Sequence, residues 1–259
     1  MHAITVDNIS FGYDPALPVV RDVSLTVQSG EFLSLVGPNG SGKTTLLRLL
    51  DRIFVPHRGS IHLDDHPLAK FSRTAIARRI AFVPQDNSIQ FPFTVAEIVL
   101  MGRSPHSGGM AFENAHDRDV AAEMMRLTDV ERLADQPVTN LSGGERQRVF
   151  IARALAQQPE IILLDEPNAH LDIAHQVDIF RIIKRLNTES GLTVLSVSHD
   201  LNLASAYSDR IAMMVSGTLA AIGTPAAVLT GERIREVFRT PVIVDTHPVH
   251  RAPRVSLLG

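Results

Sequence analysis

The stretch Gly37-Pro38-Asn39-Gly40-Ser41-Gly42-Lys43-Thr44 constrains this chain more than any other part of it. It follows a short apolar run, Phe32 to Val36, and opens Lys43 to Ile53, where Leu46, Leu47, Leu50 and Ile53 recur at helical spacing. Strand, glycine-rich loop and helix start in that order make a phosphate cradle. Glycines let backbone N–H groups converge on phosphate oxygens without Cβ obstruction, and the helix start adds the positive end of its dipole. Lys43 is placed to reach terminal phosphates, and Thr44 to offer a hydroxyl to Mg²⁺. A glycine-rich turn with an incidental lysine is the plainer reading, and the flanking strand and helix argue against it.

Changes of hydrophobic period mark the remaining organisation. Ile4 to Val27 carries short alternating or β-branched runs without a helical period and predicts antiparallel strands. Ile80 to Val83, Ile161 to Leu164 and Thr193 to Val197 are near-continuous apolar runs, as required of parallel strands covered on both faces. Between Val83 and Ile161 the apolar spacing is mostly helical: Val95 to Met101, Val120 to Leu127 and Val149 to Leu155. That stretch is too long for an ordinary crossover, whose loops run to roughly 2–6 residues, so a helical lobe inserted into an α/β core is expected. After Arg210 short strands return (Ile211 to Val215, Thr218 to Ile222), then helical pieces around Ala226 and Ile234, while the tail from Val242 carries no clear pattern. One domain over 1–259 is expected, its core at about 1–85 and 158–259 and its helical lobe at about 86–157.

Two carboxylates, Asp165 and Glu166, follow Ile161 to Leu164 directly, at the strand edge where open parallel sheets bind ligands. Asp165 suits Mg²⁺ and Glu166 the polarisation of an attacking water. Alone, Asp165-Glu166-Pro167 would read as a loop opener; the glycine loop upstream reverses that preference. His199 ends the run Thr193 to Ser198 and falls on the same kind of edge, where it could reach a γ-phosphate or merely precede a helix cap. A second glycine motif, Leu141-Ser142-Gly143-Gly144-Glu145, opens another helix. Ser142 and Glu145 have capping-box spacing. Two glycines in a first helical turn each cost up to about 1 kcal/mol against alanine, which a cap does not need, and they make a second anion site conceivable.

With 259 residues, 44% hydrophobic and 20% charged, the chain can bury one large core or two modest ones. It contains no cysteine, which excludes disulfides, thiolate catalysis and cysteine-ligated metal centres. A net charge of −3 gives no electrostatic footprint for nucleic acid. No apolar run approaches the roughly 18 residues needed to span a bilayer, and the first residues lack the pattern of a secretory signal, so a cytoplasmic location is expected.

Taken together and in order, these motifs resemble the ATP-binding subunits of ABC transporters, over roughly Ile4 to Val244. Gly37 to Thr45 resemble Walker A, Leu141 to Gln147 the signature motif, Ile161 to Glu166 Walker B, and His199 the switch histidine. Gln85, after Phe82-Val83-Pro84, resembles the Q-loop glutamine that touches Mg²⁺ or water; Tyr13 resembles the aromatic residue that stacks on adenine. Leu171-Asp172 resemble the D-loop, where Ala169-His170 replace the more usual Ser-Ala. The resemblance implies a P-loop NTPase (RecA-like) core with an N-terminal antiparallel β subdomain and an inserted α-helical subdomain. It implies ATP and Mg²⁺, and catalytic roles for Lys43, Gln85, Glu166 and His199. It further implies Mg²⁺ contacts from Thr44, Gln85 and Asp165, and ATP contacts from Tyr13, Gly37, Pro38, Asn39, Gly40, Ser41, Gly42, Lys43, Thr44 and Thr45. Ser142, Gly143 and Gly144 would reach the ATP of a partner copy. A head-to-tail homodimer would hold two ATP molecules against two transmembrane permease subunits on the cytoplasmic membrane face, served by a periplasmic or extracellular substrate-binding protein.

The spellings Phe93-Thr94-Val95 to Gly102-Arg103-Ser104-Pro105-His106 and His199-Asp200-Leu201-Asn202-Leu203-Ala204 are similar to importers of iron(III)-siderophores, haem and cobalamin. Three other readings stay open: the motor of another importer or of an exporter, a soluble ABC assembly or translation factor, and a plain P-loop kinase. A kinase leaves the second glycine motif unexplained.

Overall fold

The computed structural model describes residues 2–87, 91–106, 114–168 and 171–258. The chain begins β1 (His2–Phe11), β2 (Val20–Gln28), β3 (Phe32–Val36), α1 (Lys43–Leu50), β4 (Arg58–Leu63), β5 (His66–Pro67), α2 (Arg73–Ala77) and β6 (Ile80–Val83). It continues with α3 (Val95–Leu100), α4 (Ala115–Leu127), α5 (Gly143–Ala156), β7 (Ile161–Asp165), α6 (Ile173–Ser190) and β8 (Thr193–Val197). Last come α7 (Leu201–Tyr207), β9 (Arg210–Val215), β10 (Thr218–Gly223), α8 (Pro225–Val228), α9 (Gly231–Phe238), β11 (Val242–Thr246) and β12 (Pro253–Leu257). Two compact units form: residues 1–71 with 187–259, and residues 72–186.

In the first unit an antiparallel sheet runs β2-β1-β4-β5. Ile4 stands opposite Val27 on one side and Leu63 on the other, so the alternating apolar residues of β1 share a buried face with those of β2 and β4. A second run has the order β10-β9-β3-β8. Here β3 is parallel to both β8 and β9, while β10 returns antiparallel to β9. Phe32, Leu33, Leu35 and Val36 are fully buried, which is why β3 and β8 read as continuous apolar runs instead of alternating ones. Val36, Ile211 and Met213 pack with Ala204, Val228, Leu229, Ile234 and Val237 of the C-terminal helices.

Helix α1 is shorter than its apolar spacing predicts. It ends at Leu50, Arg52 turns into the left-handed region at φ 55°, and the Ile53 N–H folds back on the Arg48 carbonyl at 2.9 Å. Ile53 is thereby left exposed instead of extending the buried stripe. The patternless tail is a hairpin, β11 against β12, tied to α7 by reciprocal hydrogen bonds between the Asn202 side chain and the Val255 backbone.

In the second unit β6 and β7 pair in parallel, Ile80 opposite Ile161 and Val83 opposite Leu164. The helical stretch expected at about 86–157 lies within this unit, which also holds β6, β7 and most of α6. Val95, Ile98, Val99, Ala121, Met125, Val149, Ala152 and Ala156 interlock α3, α4 and α5. Thr94, Asn114 and Ser142 cap the starts of these helices. Arg103 and Asp117 form a buried ion pair at 2.9 Å, and the same guanidinium donates to the Ala156 carbonyl and to Gln158. The Arg103 Nε–H bond to Asp117 holds that carboxyl below the usual carboxylate range against the opposing effect of burial.

Candidate active site

The loop after β3 is held by its own unit before any ligand enters. A Cβ on Gly37, whose φ is 148°, would lie 2.1 Å from the Met214 carbonyl oxygen, and one on Gly42, at φ 98°, would lie 2.8 Å from that of Val19. These glycines are required by the closeness of β9 and of the β1–β2 connection as well as by any phosphate. The Gly217 N–H donates to the Ser41 carbonyl at 3.1 Å, and the Arg21 N–H to the Gly217 carbonyl at 2.8 Å, fastening the loop to its neighbours.

Within this frame the polar groups converge. Gly42 is the N-cap of α1 and supplies no side-chain oxygen to the first N–H groups of the helix. The Lys43 ammonium, buried with its side chain, donates to the carbonyls of Gly37 (2.9 Å) and Pro38 (3.0 Å). The Ser41 hydroxyl is buried and finds no hydrogen-bond partner among the described residues. A helix start without a side-chain cap, an orphaned hydroxyl and a buried ammonium suit a polyphosphate. Asn39 and Gly40 are exposed at its rim, and Thr44 and Thr45 start α1.

Tyr13, 61% exposed, stands beside this helix with its hydroxyl 3.2 Å from Thr45 Oγ1. Its ring meets Phe11 and Phe54 edge-on, at centroid distances of 5.6 and 5.5 Å. Phe54, whose part in this cluster had no signal in the sequence, sets the tilt of that ring. His199 is in the same unit, exposed just after β8. β3 and β8 are neighbours, and the Ser198 N–H donates to the Leu35 carbonyl at 3.1 Å, so His199 and the glycine loop leave adjacent parallel strands at the same edge. Asp200, next in the chain, caps α7.

In the second unit Asp165 is buried at the end of β7. Glu166 follows in the left-handed region at φ 51°, a conformation that costs a non-glycine residue of order 1 kcal/mol. Gln85, after the neighbouring β6, donates its side-chain N–H to Glu166 Oε2 at 2.7 Å. Asn87, two residues on, donates to Gln147 Oε1 of α5 at 2.7 Å, a link that sequence spacing could not disclose. The segment after β6 is therefore bonded both to Glu166 and to the helix of the second glycine motif.

At the start of that helix the capping box is formed. The Ser142 hydroxyl accepts from the Glu145 N–H and donates to Glu145 Oε2 at 2.8 Å, which, with help from Arg132, holds the Glu145 carboxyl below the usual carboxylate range. Gly144 is buried under the ring of His175. Leu171 and Asp172 are described here, whereas Ala169 and His170 lie outside the described residues.

The family pattern described as ABC transporter matches residues 20–169. The hemin import ATP-binding protein HmuV of Rhodococcus jostii (strain RHA1) is 47% identical over 238 residues, which cover 92% of this chain and 80% of that protein. The iron(3+)-hydroxamate import ATP-binding protein FhuC of Bacillus subtilis (strain 168) is 37% identical over 253 residues, 98% of this chain and 94% of the relative. Among solved structures, an inward-facing conformation of an ABC transporter provisionally assigned to the metal-chelate type is similar with a TM-score of 0.88 at 30% identity, covering 100% of this chain and 98% of the other. The dimeric structure of MJ0796, a bacterial ABC transporter cassette, is similar with a TM-score of 0.76 at 32% identity, covering 85% and 98%.

Proposed function

The chain belongs to the ABC transporter family, whose ATP-binding subunits are ATPases coupled to transport, and from that premise we propose that it drives an importer of iron(III)-siderophore, haem or cobalamin type cargo. The observation that carries the ATPase part is the glycine loop with its orphaned Ser41 hydroxyl, buried Lys43 and uncapped α1. The cargo class is supported by relatives named for hemin, iron-hydroxamate, enterobactin and cobalamin. The ATPase itself touches no cargo, so its sequence speaks for the class and leaves the individual molecule to the permease and binding protein.

In this reading Gly37 to Thr45 wrap the phosphates, Lys43 neutralises their terminal charge and Tyr13 stacks on the base. Thr44, Gln85 and Asp165 would hold Mg²⁺, which when bound draws charge from the phosphate oxygens. Glu166 takes a proton from the attacking water, and His199 donates to the γ-phosphate. Ser142, Gly143 and Gly144 serve the ATP of a second copy, in a homodimer for which the dimeric cassette at 32% identity is the supporting parallel. No helix among the described residues is long and apolar enough to cross a membrane. Relatives named as import ATP-binding proteins support a place on the cytoplasmic face, docked to two permease subunits through the surface around Gln85 and the helical segment after it.

Deleting the gene from its source cell and measuring uptake of haem, an iron(III)-hydroxamate and cobalamin tests this reading. Loss of one uptake activity, restored by the wild-type chain and not by Lys43→Ala, is the expected result. Unimpaired uptake of all three would overturn the cargo class, and normal hydrolysis by purified Lys43→Ala would overturn the ATPase assignment.

A further inference from the structure

Among the described residues, one close packing contact is used by neither the phosphate loop nor the carboxylate pair. Asp172 is the cap of α6: its Oδ1 accepts from the His175 backbone N–H at 2.9 Å and lies 2.7 Å from Nδ1 of the same residue. One carboxylate oxygen thus holds both the backbone N–H of His175 and, through Nδ1, one end of its imidazole. These contacts, the backbone N–H first and the ring second, hold the Asp172 carboxyl below the usual carboxylate range, so it is ionised at neutral pH and a stable anchor.

The other side of the ring covers Gly144. A Cβ built there would fall 2.4 Å from Cδ2 of His175, 2.7 Å from Cγ and 3.0 Å from Nε2. Real side chains do not approach so closely, so any residue but glycine must displace an imidazole that Asp172 is holding. At Gly143 the same construction meets only Leu171 Cδ2 at 3.5 Å, an ordinary contact. The steric demand for glycine in the motif therefore falls on the second of the pair. Helix propensity points the other way, since alanine would stabilise this turn by up to about 1 kcal/mol. Packing against His175 decides the residue.

We infer that His175 is a positioning residue of the second glycine motif: held by Asp172, its ring occupies the space left by the missing side chain of Gly144 and sets the first turn of α5, and with it the hydroxyl and N–H groups of Ser142 to Gly144. The inference rests on the proposed role of those groups toward a partner's ATP and extends it to the chain's own Asp172–His175 pair. It also gives the D-loop segment a mechanical hold, inside one subunit, on the motif presented to the other. His175 itself touches no phosphate in this scheme.

The test uses full-length protein in a Glu166→Gln background, with ATP-dependent dimerisation followed by light scattering and nucleotide affinity of the monomer followed with a fluorescent ATP analogue. His175→Ala is expected to raise the ATP concentration for half-maximal dimerisation about tenfold, the scale of coupling between groups in contact, while analogue binding to the monomer stays within about twofold. Gly144→Ala is expected to abolish dimerisation, and His175→Ala to restore part of it when combined, because the obstructing ring is gone. His175→Asn can still donate to Asp172 and keeps the start of α6; it serves the same comparison where His175→Ala proves too unstable, and is expected to be intermediate. With Glu166 restored, His175→Ala should raise KM for ATP more than it lowers kcat. Dimerisation of the His175 variants equal to that of their parent, or a double variant as inert as Gly144→Ala alone, would overturn the inference and leave the ATPase reading intact. A Glu166→Gln parent that stays monomeric with ATP would overturn the shared-site reading, and this inference with it.

Discussion

The side-chain amide of Gln85 donates to Glu166 Oε2 at 2.7 Å, joining the end of β6 to the residue after β7. Glu166 holds a positive φ that its own chemistry does not favour, so this bond helps fix the carboxylate's direction. Gln85→Ala should lower kcat for ATP hydrolysis by about tenfold while leaving KM within about threefold, since orientation of the base is lost and the phosphate cradle is not. Steady-state kinetics with a coupled phosphate assay read this, and an unchanged kcat would remove Gln85 from the reaction.

Substitutions in the glycine loop should separate packing from ligand binding. Gly37→Ala drives a Cβ against the Met214 carbonyl oxygen and should cost about 2 kcal/mol even without nucleotide. Gly40→Ala meets nothing within 4 Å and carries only the left-handed backbone penalty of roughly 1 kcal/mol. Urea titrations of the nucleotide-free protein measure both, and equal losses would contradict the contact geometry.

The Arg103–Asp117 pair makes a pH prediction. The folded Asp117 carboxyl is depressed by Arg103, so its stabilisation is complete above the ordinary carboxylate value of about 4 and is lost as pH falls through the lower folded value. Asp117→Ala strands a buried guanidinium, despite its remaining bonds to Ala156 and Gln158, and should cost about 3 kcal/mol at neutral pH. The gap between the urea midpoints of wild type and variant should narrow as pH falls below about 4; a gap independent of pH would refute the assignment.

Tyr13 offers a separable binding contribution. Tyr13→Ala should weaken ATP about tenfold through lost stacking, with kcat nearly unchanged, and Tyr13→Phe should retain most of the affinity. Fluorescent-nucleotide titration checks both, and full affinity in Tyr13→Ala would place the base elsewhere.

Much of this architecture was legible in the residues because burial on both sheet faces writes continuous apolar runs. β3, β6 and β8 begin and end where Phe32 to Val36, Ile80 to Val83 and Thr193 to Val197 do. β4 escaped because Arg58-Gly59-Ser60-Ile61-His62-Leu63 has one buried face and only two apolar residues to mark it. The end of α1 was misjudged because apolar spacing continues to Ile53 after the backbone has turned at Arg52. For the candidate site, motif order and spelling single out Lys43, Asp165, Glu166 and the paired glycines as candidates. They could not disclose the bond from Asn87 to Gln147 or the ring of His175 over Gly144, which join residues brought together only by folding. Asp172 and His175 do stand at the three-residue spacing of a helix cap, and that was the one available clue.

The mass of Glu166→Gln in solution, measured by gel filtration with light scattering, with and without ATP, and with EDTA present to suppress residual hydrolysis, tests the shared-site mechanism most directly. A monomer without nucleotide that becomes a dimer with ATP is the predicted result, because the cradle survives while the base is gone. A chain that binds ATP and remains a monomer would contradict the shared-site mechanism.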